Sequence, residues 1–411
     1  MRPWHLWLLL PILALVWPPL GAQTVPEHTL SASSTIAHAP ASTTAAQVLR
    51  VHRTTGDRWF LLRRATPDQP ARLYYREHLS GRDRLLVDPQ ALPHPGDDAL
   101  AISDFSVSPN GRYVAYALAP AGAASGVLHL LDTGTGRNLG APIEAVSSGG
   151  LDWSPDSKTL IFNRRQPAAE SADPSDSAPT QVWRFALGTP EAQAVPIFGA
   201  GVPGADVAAA EQPQVRLTHD GHWALGLIRL SGQADLGLYL APQAGVLSGQ
   251  PQWRQLFDRS AQVSAAAYFG DVLYLLSRAQ APRGRLLALT LTGPGQHVPQ
   301  WRQARVLLAP GEHDLRGLSA AADALYVAQH DGKRPQLYKL AYGRIARLRE
   351  VKLPASSRFA LGDAFDSADP QLPGLVLGLT DPKQPVRLQQ IVQIGADGSV
   401  RDTGLQGPGR P

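Results

Sequence analysis

Residues 105–116 read FSVSPNGRYVAY and residues 151–162 read LDWSPDSKTLIF, so the chain contains two closely similar copies of one short pattern. A weaker third copy, residues 215–225, reads VRLTHDGHWAL. Each copy consists of a β-rich run, a tight turn of the form Ser/Thr-x-Asx, and a second run of aromatic and branched residues. The pattern therefore predicts a repeated β-hairpin.

Repetition of a hairpin at this scale predicts a β-propeller. The spacing from Ser108 to Ser154 matches the roughly 40–50-residue period of four-stranded blades. The third copy is displaced by two segments rich in Ala, Gly and Pro, residues 167–180 and 199–212, which we expect to be surface loops. We predict an all-β fold, a seven-bladed propeller with four-stranded antiparallel blades, and the degenerate later repeats leave six or eight blades open.

The later repeats share a weaker motif. Residues 271–276 read DVLYLL and residues 323–328 read DALYVA, and we interpret both as inner strands of their blades. The last unit runs from Phe359 to Val392. The sequence contains no amphipathic-helix pattern longer than two turns.

The N-terminus has the pattern of a secretory signal peptide. Arg2 precedes the apolar stretch LWLLLPILALV at residues 6–16, and Ala22 offers a small residue for cleavage. The alternative is an uncleaved anchor. We predict a signal peptide over residues 1–22, a flexible leader over 23–47 and the propeller over 48–411. This organisation implies export to the periplasm or the extracellular space.

Composition excludes several kinds of site. The chain has no cysteine, so disulfides, thiolate metal sites and cysteine nucleophiles are impossible, as is a lipoprotein anchor. The formal net charge is only +4, and the arginines are scattered. The densest basic stretch, residues 339–352, is interleaved with Leu and Ile and predicts a solvated sheet face. We expect no nucleic-acid partner, and no membrane association after signal cleavage.

Several stretches resemble one known family in order along the chain. They are residues 73–77, 85–92, 102–116, 151–158, 187–190 and 281–286, with fainter agreement to Arg387. Together they are similar to the prolyl oligopeptidase family of serine peptidases. The resemblance implies a seven-bladed propeller that covers an α/β-hydrolase domain, which carries a Ser-Asp-His triad, and that restricts entry to peptide-sized substrates.

The sequence lacks the motifs that the hydrolase of this family requires. A nucleophile elbow needs the pattern G-x-S-x-G, which does not occur. Residues 23–50 do not match the family's pre-propeller helix, and the sequence stops at Pro411, where the resemblance places the start of the hydrolase. We therefore expect no α/β-hydrolase domain, no catalytic residues and no hydrolysis by this chain alone.

Two groups of side chains deserve consideration as metal ligands. His219 and His222 flank one turn, but a helical zinc pair would need H-E-x-x-H, so we interpret them as part of an ordinary blade turn. Asp363, Asp366 and Asp369 recur at intervals of three, whereas calcium loops favour alternate positions. A solvated loop is the preferred interpretation, with a calcium site as the alternative. We expect neither a metal nor a cofactor.

Two further groups are candidates for catalytic or ligand-binding residues. Glu312, His313 and Asp314 are adjacent, so neighbouring side chains of a strand would point to opposite faces. Ser319 follows without a strained turn to activate it. Five aromatic residues recur at blade-like intervals, and we expect them to pack between blades rather than to form a ligand cage. They are Trp59, Trp153, Trp183, Trp223 and Tyr274.

Four functions remain open on the sequence. The first is a non-catalytic propeller that resembles the substrate-gating domain of the peptidase family. The second is an independent envelope propeller that binds a protein or peptide partner, and the third is one part of a truncated or split serine endopeptidase with a separate hydrolase domain. Hydrolysis by unconventional residues is the fourth, and no activated nucleophile supports it.

Overall fold

Seven blades of antiparallel strands follow one another along the described residues in a computed structural model of the protein, and pairing between blades joins them into four sheets. The described residues are 46–92, 99–167, 178–293, 299–343, 347–354, 356–361, 368–383 and 389–408. Blade 1 contains β1 (Gln47–Thr54), β2 (Arg58–Arg64), β3 (Arg72–Glu77) and β4 (Arg84–Val87). Blade 2 contains β5 (Leu100–Val107), β6 (Tyr113–Pro120), β7 (Gly126–Asp132), the short β8 (Arg137–Asn138) and β9 (Ile143–Val146).

Blades 3 to 5 continue the same up-and-down order. Blade 3 contains β10 (Asp152–Trp153), β11 (Thr159–Arg165), β12 (Thr180–Ala186) and β13 (Val195–Gly199). Blade 4 contains β14 (Glu211–Leu217), β15 (Trp223–Leu230), β16 (Leu236–Pro242) and β17 (Arg254–Phe257). Blade 5 contains β18 (Val263–Phe269), β19 (Val272–Ser277), β20 (Arg285–Thr290) and β21 (Arg305–Leu308).

The last two blades complete the set of seven. Blade 6 contains β22 (Asp314–Ala320), β23 (Leu325–His330), β24 (Pro335–Leu340) and β25 (Leu348–Val351). Blade 7 contains β26 (Leu375–Thr380), β27 (Gln389–Ile394) and β28 (Val400–Gly407), and an isolated bridge from Arg358 to Thr380 adds its innermost segment.

Helical structure is short within the described residues. One α-helix, α1 (Gln243–Ser248), follows β16, and four single 3₁₀ turns occur at Pro89–Ala91, Glu191–Gln193, Arg259–Ala261 and Trp301–Gln303. No helix in the described ranges is long and apolar enough to cross a membrane.

The repeated turn is held by one buried hydroxyl in each of blades 2, 3 and 4. The Ser154 Oγ donates to Asp156 Oδ1 at 2.6 Å and accepts from the Thr159 backbone N–H at 2.9 Å. Ser108 and Thr218 make the same pair of bonds at equivalent positions. The hydroxyl thus pairs a backbone donor that the turn leaves free, which explains the Ser/Thr-x-Asx pattern.

Seven apolar clusters form the core, and each lies between two successive blades. The cluster between blades 1 and 2, for example, contains Phe60 and Phe105. Five others join the following blades in order. The seventh joins blade 7 to blade 1 through residues that include Trp59, Val376 and Ile391. Side-chain packing therefore closes the ring, since β1 and β28 pair only at Gln47 and Gln406.

The interpretation of residues 271–276 and 323–328 as inner strands is wrong by one strand. They form β19 and β23, which are the second strands of blades 5 and 6. The first strands are β18 and β22, and β18 contains the run Ser264–Ala267. Its small side chains lack the aromatic and branched residues by which a strand is recognised in a sequence.

Candidate functional site

The first strand of each blade lies next to the propeller axis, so these strands supply the channel wall. The first strands of the blades share one register relative to the turn that follows them. The positions two residues before the first residue of each turn are therefore equivalent, and we call them the turn-side ring. Its members in blades 1 to 6 are His52, Ser106, Asp152, Arg216, Ala267 and Ser319. The second ring lies two residues earlier and consists of Arg50, Asp104, Gly150, Gln214, Ala265 and Gly317.

Burial alternates along these strands as the side-chain direction does. The residues between the two rings pack into the blade interfaces, as Val51, Phe105 and Val215 do. By contrast, His52 is half-buried and Arg216 is exposed. In β1 and β14 the ring positions therefore carry the side chains that face the channel, whereas Ala265 and Ala267 of β18 also pack against the cluster between blades 5 and 6.

Among the described ring positions of blades 1 to 6, ionisable side chains occur only in blades 1 to 4. Blades 1 to 4 contribute the ionisable side chains Arg50, His52, Asp104, Asp152 and Arg216. Blade 5 contributes only the small residues of the run at 264–267. Across blades 1 to 6 the described wall thus has a charged half in blades 1 to 4 and a small-residue half in blades 5 and 6. Asp369 of blade 7 adds one further charge, which acts on Asp152.

Asp104 connects three blades at the second ring. The Arg50 guanidinium of blade 1 forms an ion pair with one carboxylate oxygen of the buried Asp104. The other oxygen accepts the Gly149 backbone N–H at 2.9 Å, just before blade 3. Arg50 also lies over the Phe105 ring, 5.0 Å from its centroid. These contacts fix the positions of two charges in the channel wall.

Asp152 and Arg216 connect blades 3 and 4 at the turn-side ring. Asp152 Oδ2 accepts the Leu217 backbone N–H at 2.8 Å, and Arg216 Nη1 donates to the Leu151 carbonyl oxygen at 3.2 Å. Burial raises the pKa of Asp152 above its ordinary value, and the positive charge of Arg216 opposes this shift. The pair places one acid and one exposed base side by side in the wall.

His52 completes the charged half with an imidazole that is neutral at pH 7. Burial, and then the positive charge of Arg50, lowers the pKa of His52 to about 4. This side chain therefore offers a hydrogen-bond donor and an acceptor rather than a positive charge.

A segment of blade 7, residues 369–374, lies against blades 1 and 6. The buried Arg53 of β1 donates from Nη2 to the Pro373 carbonyl oxygen at 2.7 Å. Asp323 of blade 6 accepts the Gly374 backbone N–H at 2.7 Å. Within this segment, burial raises the pKa of Asp369, and the charge of Arg53 opposes the shift. The segment thereby adds direct bonds at the junction where the ring closes.

The two histidines weighed as metal ligands occupy different environments. His219 stacks on Phe269 with ring centroids 5.8 Å apart. His222 Nδ1 lies 3.4 Å from Asp220 Oδ2 and 3.5 Å from Asp271 Oδ1. His222, Asp220 and Asp271 are the only group of three in the described residues whose potential metal-ligand atoms all lie within 4.8 Å of one another.

The contacts of this exposed group indicate that it stabilises two turns. Asp220 accepts hydrogen bonds from the hydroxyls of Thr218 and Tyr268, each at 2.6 Å. Hydrogen bonding to the ionised form holds the pKa of Asp220 below its usual value, against the effect of burial. Of the acidic residues weighed for calcium, Asp363 and Asp366 lie outside the described residues, and that alternative stays a prediction.

The remaining candidate residues are not arranged as a catalytic triad. Asp314 pairs with Arg316 Nη2 at 2.7 Å, and the Glu312 carbonyl oxygen accepts Arg283 Nη1 at 2.8 Å. Ser319 lies inside β22 in regular register with Tyr326. A nucleophile elbow requires a strained turn, which a regular strand does not supply.

Packing by the recurring aromatic residues is confirmed for four of the five. Their side chains are buried between blades: Trp59, Trp153, Trp223 and Tyr274. Trp183 is half-buried, and the Arg164 guanidinium lies 5.1 Å from its ring. The charged ring residues, in contrast, were not recognised in the sequence, although their fixed offset from the turn was a usable signal.

A comparison with protein families bears on this architecture directly. The model of the prolyl oligopeptidase N-terminal β-propeller domain matches residues 25–364. The chain belongs to this family. The match begins inside the predicted leader, and it covers blades 1 to 6 and the start of blade 7.

Solved structures of prolyl oligopeptidases share the fold. One, from a study of two prolyl endopeptidases and the role of inter-domain dynamics, is 21% identical with a TM-score of 0.70 and covers 87% of this chain and 50% of that chain. Prolyl oligopeptidase B from Galerina marginata, bound to a 35mer hydrolysis and macrocyclization substrate, is 13% identical with a TM-score of 0.70 and covers 90% and 52%. This chain spans about half the length of these relatives.

Proposed function

We propose that this prolyl oligopeptidase-type propeller is non-catalytic and receives an extended peptide in its channel, next to a hydrolase that cleaves it. The observation that carries the proposal is the division of the channel wall into a charged half and a small-residue half. The hydrolase would be supplied by a separate chain or by a further domain.

An extended peptide suits such a wall for physical reasons. Its backbone groups need hydrogen-bond partners, which Arg216, Asp152 and neutral His52 offer on one side. The alanines of blade 5 leave room for side chains on the other side. A folded protein is too wide to enter a ring of seven packed blades. The Galerina relative, whose bound ligand is a 35mer, supports peptide-sized ligands for this family.

Peptide binding tests the first part of the proposal. We expect a fluorescein-labelled, proline-containing, unstructured peptide to bind the purified chain in an anisotropy titration. Arg216→Ala removes a charge-assisted donor and should weaken binding by about tenfold. Arg254→Ala, at an exposed arginine of β17 outside the two rings, is the matched control. No binding up to millimolar chain, or equal losses in both variants, would contradict the proposal.

A second variant tests the small-residue half. Ala267→Trp places a large ring in the turn-side ring and should reduce peptide binding. Because Ala267 also contacts the cluster between blades 5 and 6, the circular dichroism spectrum and the unfolding midpoint of the variant are measured first. Unchanged affinity in the folded variant would show that the peptide binds outside the channel.

Turnover assays test the absence of catalysis. We expect the purified chain, with a folded β-type spectrum, not to cleave a proline-containing fluorogenic peptide. Cleavage that survives repurification and is abolished by a serine-directed phosphonate would establish hydrolysis by the chain itself. A neighbouring reading frame with G-x-S-x-G and a late histidine would support a split peptidase.

We also propose that the protein is exported by its N-terminal signal peptide. N-terminal sequencing of the mature protein should place the first residue at Gln23, after Ala22. Recovery of an intact Met1 in the membrane fraction would favour the uncleaved anchor.

A further inference from the structure

A cavity at the junction of blades 4 and 5 lies apart from the channel rings. Its volume is about 540 Å³, which lies within the range of small-ligand sites. It is lined by Arg285 at the start of β20, by Trp301 and Arg302 of the last 3₁₀ turn, and by Gln262 and Gln280. Neither the family resemblance nor the proposed peptide channel involves these residues.

The two guanidinium groups of this cavity have no hydrogen-bonding partner within the described chain, and that of Arg302 lies over the Trp301 ring, 5.5 Å from its centroid. Neither Arg285 nor Arg302 has a hydrogen bond or an ion pair there, and the buried Nε of Arg285 is unpaired. No acidic residue lines the cavity. Outside the lining, Asp258 is an acidic residue that interacts with Arg302. Hydrogen bonds from Ser260 lower the pKa of Asp258, and the positive charge of Arg302 contributes to this lowering. The unpaired, partly buried guanidinium of Arg285, with the exposed Arg302 on the same cavity wall, favours an anionic ligand.

The other lining groups suit a polar ring. Trp301 is half-buried and is held by an edge contact with Phe257, with ring centroids 6.1 Å apart. Gln262 and Gln280 have left-handed backbone angles, with φ of 47° and 57°, and both belong to the cavity lining. An indole face stacks on the C–H face of a sugar, and the amides can both donate to and accept from hydroxyls.

We propose that this cavity binds a carboxylate-bearing sugar ring of the uronic acid class. Arg285 and Arg302 would pair with the carboxylate, since guanidinium forks match its two oxygens. Trp301 would cover one face of the ring, and Gln262 and Gln280 would bond its hydroxyls. The site is independent of the peptide channel, so either proposal can fail alone.

Ligand-observed NMR titration of the full chain with glucuronate tests the assignment, with glucose and acetate as matched probes. We expect saturable binding of glucuronate and at least about tenfold weaker binding of glucose and of acetate. Arg285→Gln and Arg302→Gln should each weaken glucuronate binding by about tenfold. Arg254→Gln should leave it unchanged.

Each contrary result overturns a defined part of the proposal. Equal affinity for glucose would refute recognition of the carboxylate, and equal affinity for acetate would refute recognition of the ring. No saturation by glucuronate at tens of millimolar would refute the site. Should Arg285→Gln fail to fold, the exposed Arg302 still provides the test, and full affinity in Arg302→Gln would refute its role.

Discussion

Replacing Ser154 by alanine tests the account of the repeated turn most directly. The side chain of Ser154 is fully buried, and its hydroxyl joins the Asp156 carboxylate to the Thr159 backbone N–H. Alanine fits the same space but removes both bonds. The Thr159 N–H then loses its hydrogen-bond partner inside the blade.

The expected loss follows from the two bonds. A buried donor left unpaired costs about 1–3 kcal/mol. The Asp156 carboxylate is exposed and regains water, so its lost bond adds little. We therefore expect Ser154→Ala to lower the free energy of unfolding by about 2 kcal/mol. Urea unfolding followed by tryptophan fluorescence measures this as a lower midpoint at an unchanged slope.

The same variant should change how the free energy of unfolding depends on pH in the acidic range. Bonding to Ser154 is the largest cause that holds the pKa of Asp156 below its usual value. A lowered carboxylate pKa stabilises the folded state above the unfolded pKa, and this contribution is lost as pH falls through the folded pKa. The difference between wild type and variant should therefore shrink below about pH 4.

Ser231→Ala is the matched control, because Ser231 lies exposed in the loop after β15. It should change the free energy of unfolding by less than about 0.5 kcal/mol. The reasoning is refuted if Ser154→Ala is no more destabilising than this control at pH 7.

Three further perturbations follow from other contacts. Gly150→Ala should destabilise by about 3 kcal/mol, because φ is +91° and a Cβ would lie 2.5 Å from Asn163 Oδ1. The NMR titration of His52 should give a pKa of about 4, and stability should fall as pH drops from about 6.5 to 4, because only the unfolded imidazole binds a proton there. Trp253→Phe should cost about 2 kcal/mol, since it removes the 2.7 Å bond from Nε1 to the Ile197 carbonyl oxygen.

Each of these has its own control. Gly122→Ala shares a left-handed φ of +79° but meets open space, so it should cost only about 1 kcal/mol. His52→Gln should remove the loss of stability between pH 6.5 and 4, and an unchanged profile would assign that loss to another group. A Trp253→Phe variant as stable as wild type would show that the indole bond makes no net contribution.

The blades with the hydroxyl-centred turn could be predicted from the sequence because the turn is local. Ser108 and Ser154 each form hydrogen bonds within five residues along the chain. The residue types of the turn and their spacing can therefore be read from the sequence. Blades 5 and 6 turn through two residues instead and lack this hydroxyl. The sequence pattern therefore points to the second strand of each of these blades, which carries the branched and aromatic residues.

The candidate site could be predicted only in part, for a different reason. The positions of Asp152 and Arg216 relative to their turns are local, but their pairing crosses from one blade to the next. The partners of Asp104 lie 54 residues earlier and 45 residues later in the chain. Such contacts depend on how the blades pack, which a single sequence does not display. The cavity at blades 4 and 5 likewise exists only once two blades meet.

Closure of the ring by packing rather than by a shared strand has a consequence for how the chain folds. Within each blade, strands that follow one another in the chain pair with one another, so most of the hydrogen bonding requires contacts of low sequence separation. Blades can consequently form one after another as the chain leaves the ribosome, each adding to the last. The cluster around Trp59 and Val376, the bond from Arg53 to Pro373 and the pair of Gln47 with Gln406 must wait for both ends. The seam between blades 7 and 1 is thus the step of highest contact order and the last to form.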